Sequence, residues 1–554
     1  MLCSLGIHMI LPYLNKTMID QGLMARNMAM VVRIIILNLV LVVSSQGFGI
    51  LQTRYLIYVN SMVSYRLMSK AFKQALYIKV DYYDSTNPTE MMQKMMMDVN
   101  NITQILNNQV LTVISQIFRL VGGLVGLIVL DWKLTLIVLC IIPIRYKIIN
   151  YMAKKRREII ERFMEDRREF SKWYGDSVNG VKEIRLWGID WIKIWQFKEK
   201  QRKIITDTIK LRVMDKINMM TETLLFHFLT DALYIVGAVL IFNNSLTMGE
   251  LFAFISYSSY VTSPISAILN LKYSFSKLFP AAKRLFEFLD EDKEKDFSNE
   301  DRISLTSEEI EGKIEYRNVG FSYDEDTQVL EDVSFQIDPK EKVAIVGTNG
   351  SGKSTILKLL LRFYKPDQGQ IIMDDKDIFS LDLRSYRDAI AVVSQETYLF
   401  DTTVEENIKM FSDVSDQKFK EAVKSSRADE FVKKMKDGYQ TLLGKNGARL
   451  SGGEKQKISM ARAFTKDYQI LILDEPTSNY DVQSEQFFGD LIEGKLKDKT
   501  VVIITHEPNL LRFVDKIIII DEGKIRAVGS YQELLENKEY QKYFGNQNLQ
   551  YEVV

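Results

Sequence analysis

The sequence predicts a multi-domain protein: an all-α domain of membrane-spanning helices, followed by an α/β domain. Three observations carry this prediction. Apolar runs close to 20 residues long crowd the first half, and about 20 is the length a helix needs to cross a bilayer. In the second half, short runs such as KVAIV, QILIL, TVVIIT and KIIIID alternate with helical patterns, which predicts a largely parallel sheet. Between them lies FLDEDKEKDFSNEDRISLTSEE, starting at Phe288, charged in both signs and weakly apolar, as a linker is. The boundaries read from these features are 1–285, a linker over 286–311, and 312–554. No internal repeat or low-complexity tract interrupts them.

Composition removes some alternatives. The 554 residues carry 72 Lys and Arg against 72 Asp and Glu, so no positive excess points to nucleic acid as a partner. The mean hydropathy of −0.08 averages two unlike halves. Both cysteines, Cys3 and Cys140, sit in apolar runs and read as buried free thiols rather than a disulfide or a metal site.

In the first half the candidate spans are 32–50, 110–130, 134–149, 224–242 and 251–271. The opening MLCSLGIHMILPYL is apolar over only about half the length of a span. It lacks the basic leader and small-residue cleavage site of a signal peptide, and reads as the outer part of a truncated first span that begins upstream. Residues 152–216, headed by AKKRRE, are dense in Lys and Arg and belong in the cytoplasm by the positive-inside rule. The short links at 131–133 and 243–250 then lie outside. Apolar residues recur at helical spacing within the basic stretches, so the spanning helices should run on into the cytoplasm.

Four ionisable residues fall in or near the spans: Arg119, Glu222, His227 and Asp231. His227 and Asp231, four apart, share a helix face. Charge at membrane depth is costly and often lines a pathway, but an interhelical pair explains it equally well. Ser256, Tyr257, Ser259, Tyr260 and Ser263 read as packing.

The chemistry lies in the second half. GTNGSGKS, residues 347–354, follows the strand KVAIV and precedes the helical STILKLLL. Its glycines let backbone amides curl around phosphate oxygens, Lys353 brings a point charge to the β and γ phosphates, and the Ser354 hydroxyl ligates Mg²⁺. Gly347, Asn349, Gly350, Ser351 and Gly352, with Thr355 just beyond Lys353 and Ser354, are the nucleotide-binding positions of this loop. In QILILDEP, Asp474 ends a buried strand where it can hold Mg²⁺, and Glu475 can orient or deprotonate an attacking water. His506, one of three histidines, follows the strand TVVIIT and reads as a γ-phosphate contact. About a hundred residues past the phosphate loop stands LSGGEKQ, 450–456, where Ser451 and two glycines open a helix. That is a second anion site.

Together these motifs resemble the nucleotide-binding domain of an ABC transporter, and nearly the whole chain is similar to a half-size ABC exporter. The resemblance implies that Ser451, Gly452 and Gly453 grip the γ-phosphate of ATP bound to a partner half-transporter, at the positive end of a helix dipole, with Glu454 and Asp481 on the same trans face. It further implies that Tyr323, in VGFSYDED, stacks on adenine. Gln395, in VVSQETYLF, links Mg²⁺ and the attacking water to the membrane domain. DYYDSTNPTEMM from Asp81 and GVKEIRLWGIDW from Gly180 resemble the two cytoplasmic loops whose short helices dock on nucleotide domains, and DWKLTL and MGELFAF resemble span entries. The implied cofactors are ATP and Mg²⁺. The implied partners are a second half-transporter, in a homodimer or heterodimer, the lipid bilayer, and a transported substrate that the sequence leaves open among peptide, lipid and drug. The implied activity is ATP-driven export across a membrane, with a bacterial cytoplasmic membrane suggested by composition.

Four positions depart from the family pattern. Glu454 replaces the usual glutamine, Asn479-Tyr480 the usual Ala-Leu, and Lys445 a common glutamate. A half that binds ATP without hydrolysing it would usually lack the glutamate or histidine, and Glu475 and His506 are both present. A soluble ATPase working on nucleic acid conflicts with the apolar spans in the same chain.

Overall fold

The computed structural model describes residues 1–104, 110–294, 303–306, 309–324, 327–475, 483–535, 537 and 541. Two compact units emerge: Met1–Leu76 with Pro88–Glu291, and Tyr77–Asn87 with Asp292–Val554.

The described residues of the first unit form helices joined by short turns. Its helices are α1 (Leu2–Thr17), extended by a π-helical turn to Leu23, then α2 (Met28–Tyr77), α4 (Pro88–Gln104), α5 (Val110–Leu130), α6 (Trp132–Asn179), α7 (Val181–Leu186), α8 (Asp190–Phe242), α9 (Met248–Thr262) and α10 (Pro264–Asp290). Between α2 and α4 in the chain, α3 (Asp81–Ser85) is a short helix of the second unit. Among the described residues four helices are long and apolar enough to span a membrane: Met28–Tyr77, Leu111–Leu130, Trp132–Asn179 and Asp190–Phe242. At 50, 48 and 53 residues, α2, α6 and α8 far exceed the roughly 20 needed to cross a bilayer, so each extends well beyond it, as the sequence predicted.

Small residues let these helices approach closely. A Cβ on Gly126 of α5 would come within 2.9 Å of the Tyr257 ring of α9, and one on Gly237 of α8 within 2.4 Å of Leu251. The buried cluster around Leu127, Leu134, Leu233, Phe254 and Val261 fills the space between α5, α6, α8 and α9. The predicted outer links are capped: Asp131 accepts from Leu134 N at 2.8 Å, and Thr247 with Glu250 forms a capping box. Asp20 accepts from Thr247 Oγ1 at 2.7 Å and from Gly249 N at 2.8 Å.

One expectation is corrected here. Cys3 and Cys140 are free, as expected, but exposed rather than buried. An apolar helix face in a membrane turns towards lipid as readily as towards protein, so an apolar neighbourhood does not imply burial. The last predicted span, 251–271, passes from α9 into α10 through Ser263, whose φ of −62° and ψ of −33° stay helical, with Pro264 interrupting only the hydrogen-bond ladder. Proline has no N–H to continue the ladder and is at home in a first helical turn.

The second unit holds two sheets. One is antiparallel, in the order β2 (Gln328–Ile337), β1 (Ile314–Ser322), β4 (Gln368–Met373), β5 (Lys376–Asp377). The other has six strands in the order β10 (Lys524–Gly529), β9 (Lys516–Asp521), β3 (Lys342–Val346), β8 (Thr500–Ile504), β7 (Ile470–Asp474), β6 (Ile390–Val393). All its neighbours are parallel except β10 with β9. β3 and β8 are buried at every position, as befits a parallel sheet covered on both faces. One core, including Tyr316, Ile345, Leu359 and Tyr386, lies between the sheets, and a second, including Val346, Phe464 and Leu473, covers the opposite face.

Candidate nucleotide site

In a parallel sheet every strand delivers its C-terminal end to the same edge, where ligands bind. The neighbouring strands β3, β8, β7 and β6 therefore present four loops in a row: the 347–354 loop, His506, Asp474 with Glu475, and Gln395.

The 347–354 loop turns on glycines. Gly350 and Gly352 have φ of +81° and +106°, and a Cβ at Gly347 would stand 2.0 Å from the Ile520 carbonyl oxygen. Lys353 begins the helix Lys353–Leu360, and its buried ammonium curls back to donate to Gly347 O and Thr348 O, both at 2.8 Å. Burial pushes the Lys353 pKa down, while Glu475 and Asp474 pull it up. Ser351 Oγ is buried without a hydrogen-bond partner, and Ser354 is exposed at the helix start. Thr355 is buried, and its Oγ1 lies 3.2 Å from the Tyr323 hydroxyl, which brings the predicted adenine contact to this loop.

Burial raises the Asp474 pKa, and neighbouring Glu475 raises it further, against a lowering by Lys353. A carboxylate so destabilised would gain from a cation. The exposed Ser354 hydroxyl, the orphaned Ser351 Oγ and this carboxylate fit a Mg-nucleotide. Glu475 sits at φ +49°, a left-handed conformation unusual for a residue with a side chain and frequent at functional sites. Its N–H donates to Ile504 O at 2.9 Å, which fastens the end of β7 to β8. Its Oε1 lies 3.0 Å from His506 Nε2, and its Oε2 accepts from Gln395 Nε2. Three loops separated in sequence thus converge on one carboxylate.

Ser451 is the N-cap of the helix Gly452–Phe464. Glu454 Oε2 accepts from Ser451 N and Ser451 Oγ, both at 2.8 Å, and the Ser451 hydroxyl accepts from Glu454 N at 3.4 Å. The carboxylate that departs from the family pattern therefore completes a capping box. Ser451 and Gly452 are exposed, and Gly453 is partly so. Asp481 lies outside the described residues.

Two participants escaped the sequence reading. Gln456, 2% exposed, donates from Nε2 to Glu475 O at 3.3 Å, tying the Ser451 helix to the end of β7. Its only signal was its place in LSGGEKQ. In the membrane half, Arg145 of α6, 8% exposed at its side chain, lies 3.5 Å from Glu222 of α8, so an interhelical pair accounts for Glu222. Arg119 Nε is buried without a partner, while His227 and Asp231 are both exposed.

Comparison with known proteins bears on this geometry. The family model described as "ABC transporter" matches residues 330–478, and that described as "ABC transporter transmembrane region" matches 2–265. An ATP-dependent lipid A-core flippase of Legionella pneumophila (strain Paris) is 30% identical over 533 residues, covering 96% of this chain and 90% of its own. An ABC transporter ATP-binding protein of Bacillus subtilis, YfiC, is 28% identical over 537 residues, covering 95% and 87%. Among solved structures, a bacterial Atm1-family ABC exporter with ATP bound superposes with a TM-score of 0.82 at 21% identity, over 99% of this chain and 96% of that one.

Proposed function

The chain belongs to the ABC transporter family, and on that premise we propose that two half-transporters close around ATP, each nucleotide held by the 347–354 loop of one and by Ser451, Gly452 and Gly453 of the other. The chain is a multi-pass protein of the bacterial inner membrane and an ATPase coupled to export. The observation that carries the ATPase reading is the Glu475 carboxylate, bonded to Gln395 and 3.0 Å from His506 at the strand end beside Lys353.

In this reading Lys353 and the loop amides bind the β and γ phosphates, and Tyr323 stacks on the base. Ser354, Asp474 and Gln395 hold Mg²⁺, which would neutralise charge on the phosphates. Glu475 orients and deprotonates the attacking water, and His506 contacts the γ-phosphate. Exposed Ser451 and Gly452 are available to a second chain, which supports the shared site. Leu186, Trp187 and Trp191, in and after α7, are 78%, 77% and 67% exposed. So much aromatic surface at one cytoplasmic loop favours a covering partner, and the nucleotide domain of the second half is that partner here. Relatives named lipid A-core flippases make an amphiphilic lipid the first cargo to test.

Complementation tests the arrangement. Lys353→Ala destroys a chain's own loop and Ser451→Arg destroys the face it offers its partner, so neither protein alone should occlude ATP. In a mixed dimer one site regains an intact loop opposite an intact Ser451. Co-expressed, separately tagged variants purified as a pair should therefore occlude one ATP per dimer. No occlusion by a stable mixed dimer would refute the trans arrangement.

A further inference from the structure

Within the second unit, the short helix α3 reaches the aromatic group around Tyr323. Asp84 of α3 accepts a hydrogen bond from the Tyr364 hydroxyl and lies 3.2 Å from Lys358 Nζ. Both partners then press on Tyr323. Lys358 Nζ stands 5.2 Å from the Tyr323 ring centroid and 5.5 Å from that of Tyr364. Tyr364 meets Tyr323 edge to face at 5.2 Å, with an interplanar angle of 89°. Phe321 closes the group, 5.0 Å from Tyr323 and 5.4 Å from Tyr364.

Tyr323 is 45% exposed, and an exposed aromatic ring would ordinarily sample several rotamers. Here edge contacts, a cation near the ring and its hydroxyl contact with Thr355 restrict it. Asp84 serves two of these restraints together, because one carboxylate orients both the ammonium and the Tyr364 hydroxyl. The hydroxyl bond holds the Asp84 carboxyl below its ordinary range, with Lys358 adding to the effect against partial burial. The charge is thus in place at neutral pH.

We propose that Asp84 is a positioning residue for the nucleotide base: through Lys358 and Tyr364 it fixes the Tyr323 ring, and so sets how strongly the site favours a purine. This rests on the reading of Tyr323 as the adenine platform. A ring already held in its binding orientation loses less freedom when a base stacks on it. Purines, with the larger π-face, gain most.

The test uses the full-length protein in lipid nanodiscs, with kcat and KM measured for ATP and for UTP. Asp84→Ala should raise KM for ATP about three- to tenfold, the loss expected for an exposed ion pair and a cation–π contact together. The kcat at saturation should hold within about twofold and KM for UTP should move less, since base stacking is the interaction being weakened. Preference for ATP over UTP therefore falls. Asp84→Glu should restore most of it, and Tyr364→Phe should add little to Asp84→Ala. A residue that merely holds the fold would change ATP and UTP alike or lower kcat. Either result, or an unchanged KM, would overturn the proposal. If the alanine variant does not fold, Asp84→Asn, which keeps the acceptor and loses the charge, carries the same comparison. Tyr323→Ala separates the two readings. If it leaves KM for ATP unchanged, the platform and the proposal fall together. If it raises KM while Asp84 variants do not, only the proposal falls.

Discussion

Oε1 of Glu475 lies 3.0 Å from Nε2 of His506, joining the end of β7 to the loop after β8. We expect Glu475→Gln to bind ATP and slow hydrolysis at least tenfold, and by about 10²–10⁴ if general-base catalysis is fully lost. Phosphate release and nucleotide occupancy should be measured on the same preparation. Wild-type turnover in the variant would remove Glu475 from the role of base.

Lys353→Ala should abolish tight ATP binding. The ammonium is buried over its own loop, and loss of a charged hydrogen bond of about 1.5–3 kcal/mol weakens binding by about ten- to a hundredfold. Equilibrium binding checks this, with a melting curve to exclude unfolding. Unaltered affinity would mean that the loop does not hold the phosphates.

Ser451→Arg should leave nucleotide binding to the chain's own loop nearly intact, because Lys353, Ser354 and Tyr323 are untouched, and should abolish turnover. Glu454→Gln should be far milder, since a glutamine oxygen can still accept from Ser451 N and Oγ as Oε2 of Glu454 does. The contrast between the two variants in hydrolysis assays is the readout. Normal hydrolysis in Ser451→Arg would deny the second anion site a catalytic part.

Asp474 offers a test by pH. Its native pKa lies above the ordinary value, so the native state binds its proton more tightly than the unfolded chain does. Such a carboxyl costs stability at neutral pH, and the cost disappears as pH falls through the native pKa. In EDTA without nucleotide, Asp474→Asn should melt above the wild type at pH 7, by about 2–4 °C for each kcal/mol relieved in a domain of this size. The gap should close in acid. Added Mg-ATP should stabilise the wild type more than the variant, because the variant keeps the phosphate loop and loses one carboxylate for the cation. A variant that melts lower at pH 7 would contradict the origin given to the shift.

Residues local in sequence were legible because their chemistry is local. A spanning helix needs its apolar run, a phosphate loop needs its glycines beside a lysine, and a helix start needs Ser451. The membrane domain, the parallel sheet and the 347–354 loop could be read in this way. The antiparallel sheet β2-β1-β4-β5 could not, since its pairing joins segments whose patterns do not announce their partners.

The sequence by itself singled out the residues we propose for phosphate, acid and base chemistry, because side-chain type and strand-end position suffice to nominate them. Only the tertiary structure decided which of them meet. The order β3, β8, β7, β6 brings Lys353, His506, Glu475 and Gln395 to one edge, and burial decides that Asp474 is hard to ionise. Arg145 reaches Glu222 from another helix, Gln456 reaches the Glu475 carbonyl, and Asp84 reaches Tyr364 from 280 positions away. Cys3 and Cys140 turn outward for the same reason. Contact and exposure depend on where the chain returns in space, and in a membrane protein an apolar pattern is the same whether a face meets lipid or protein.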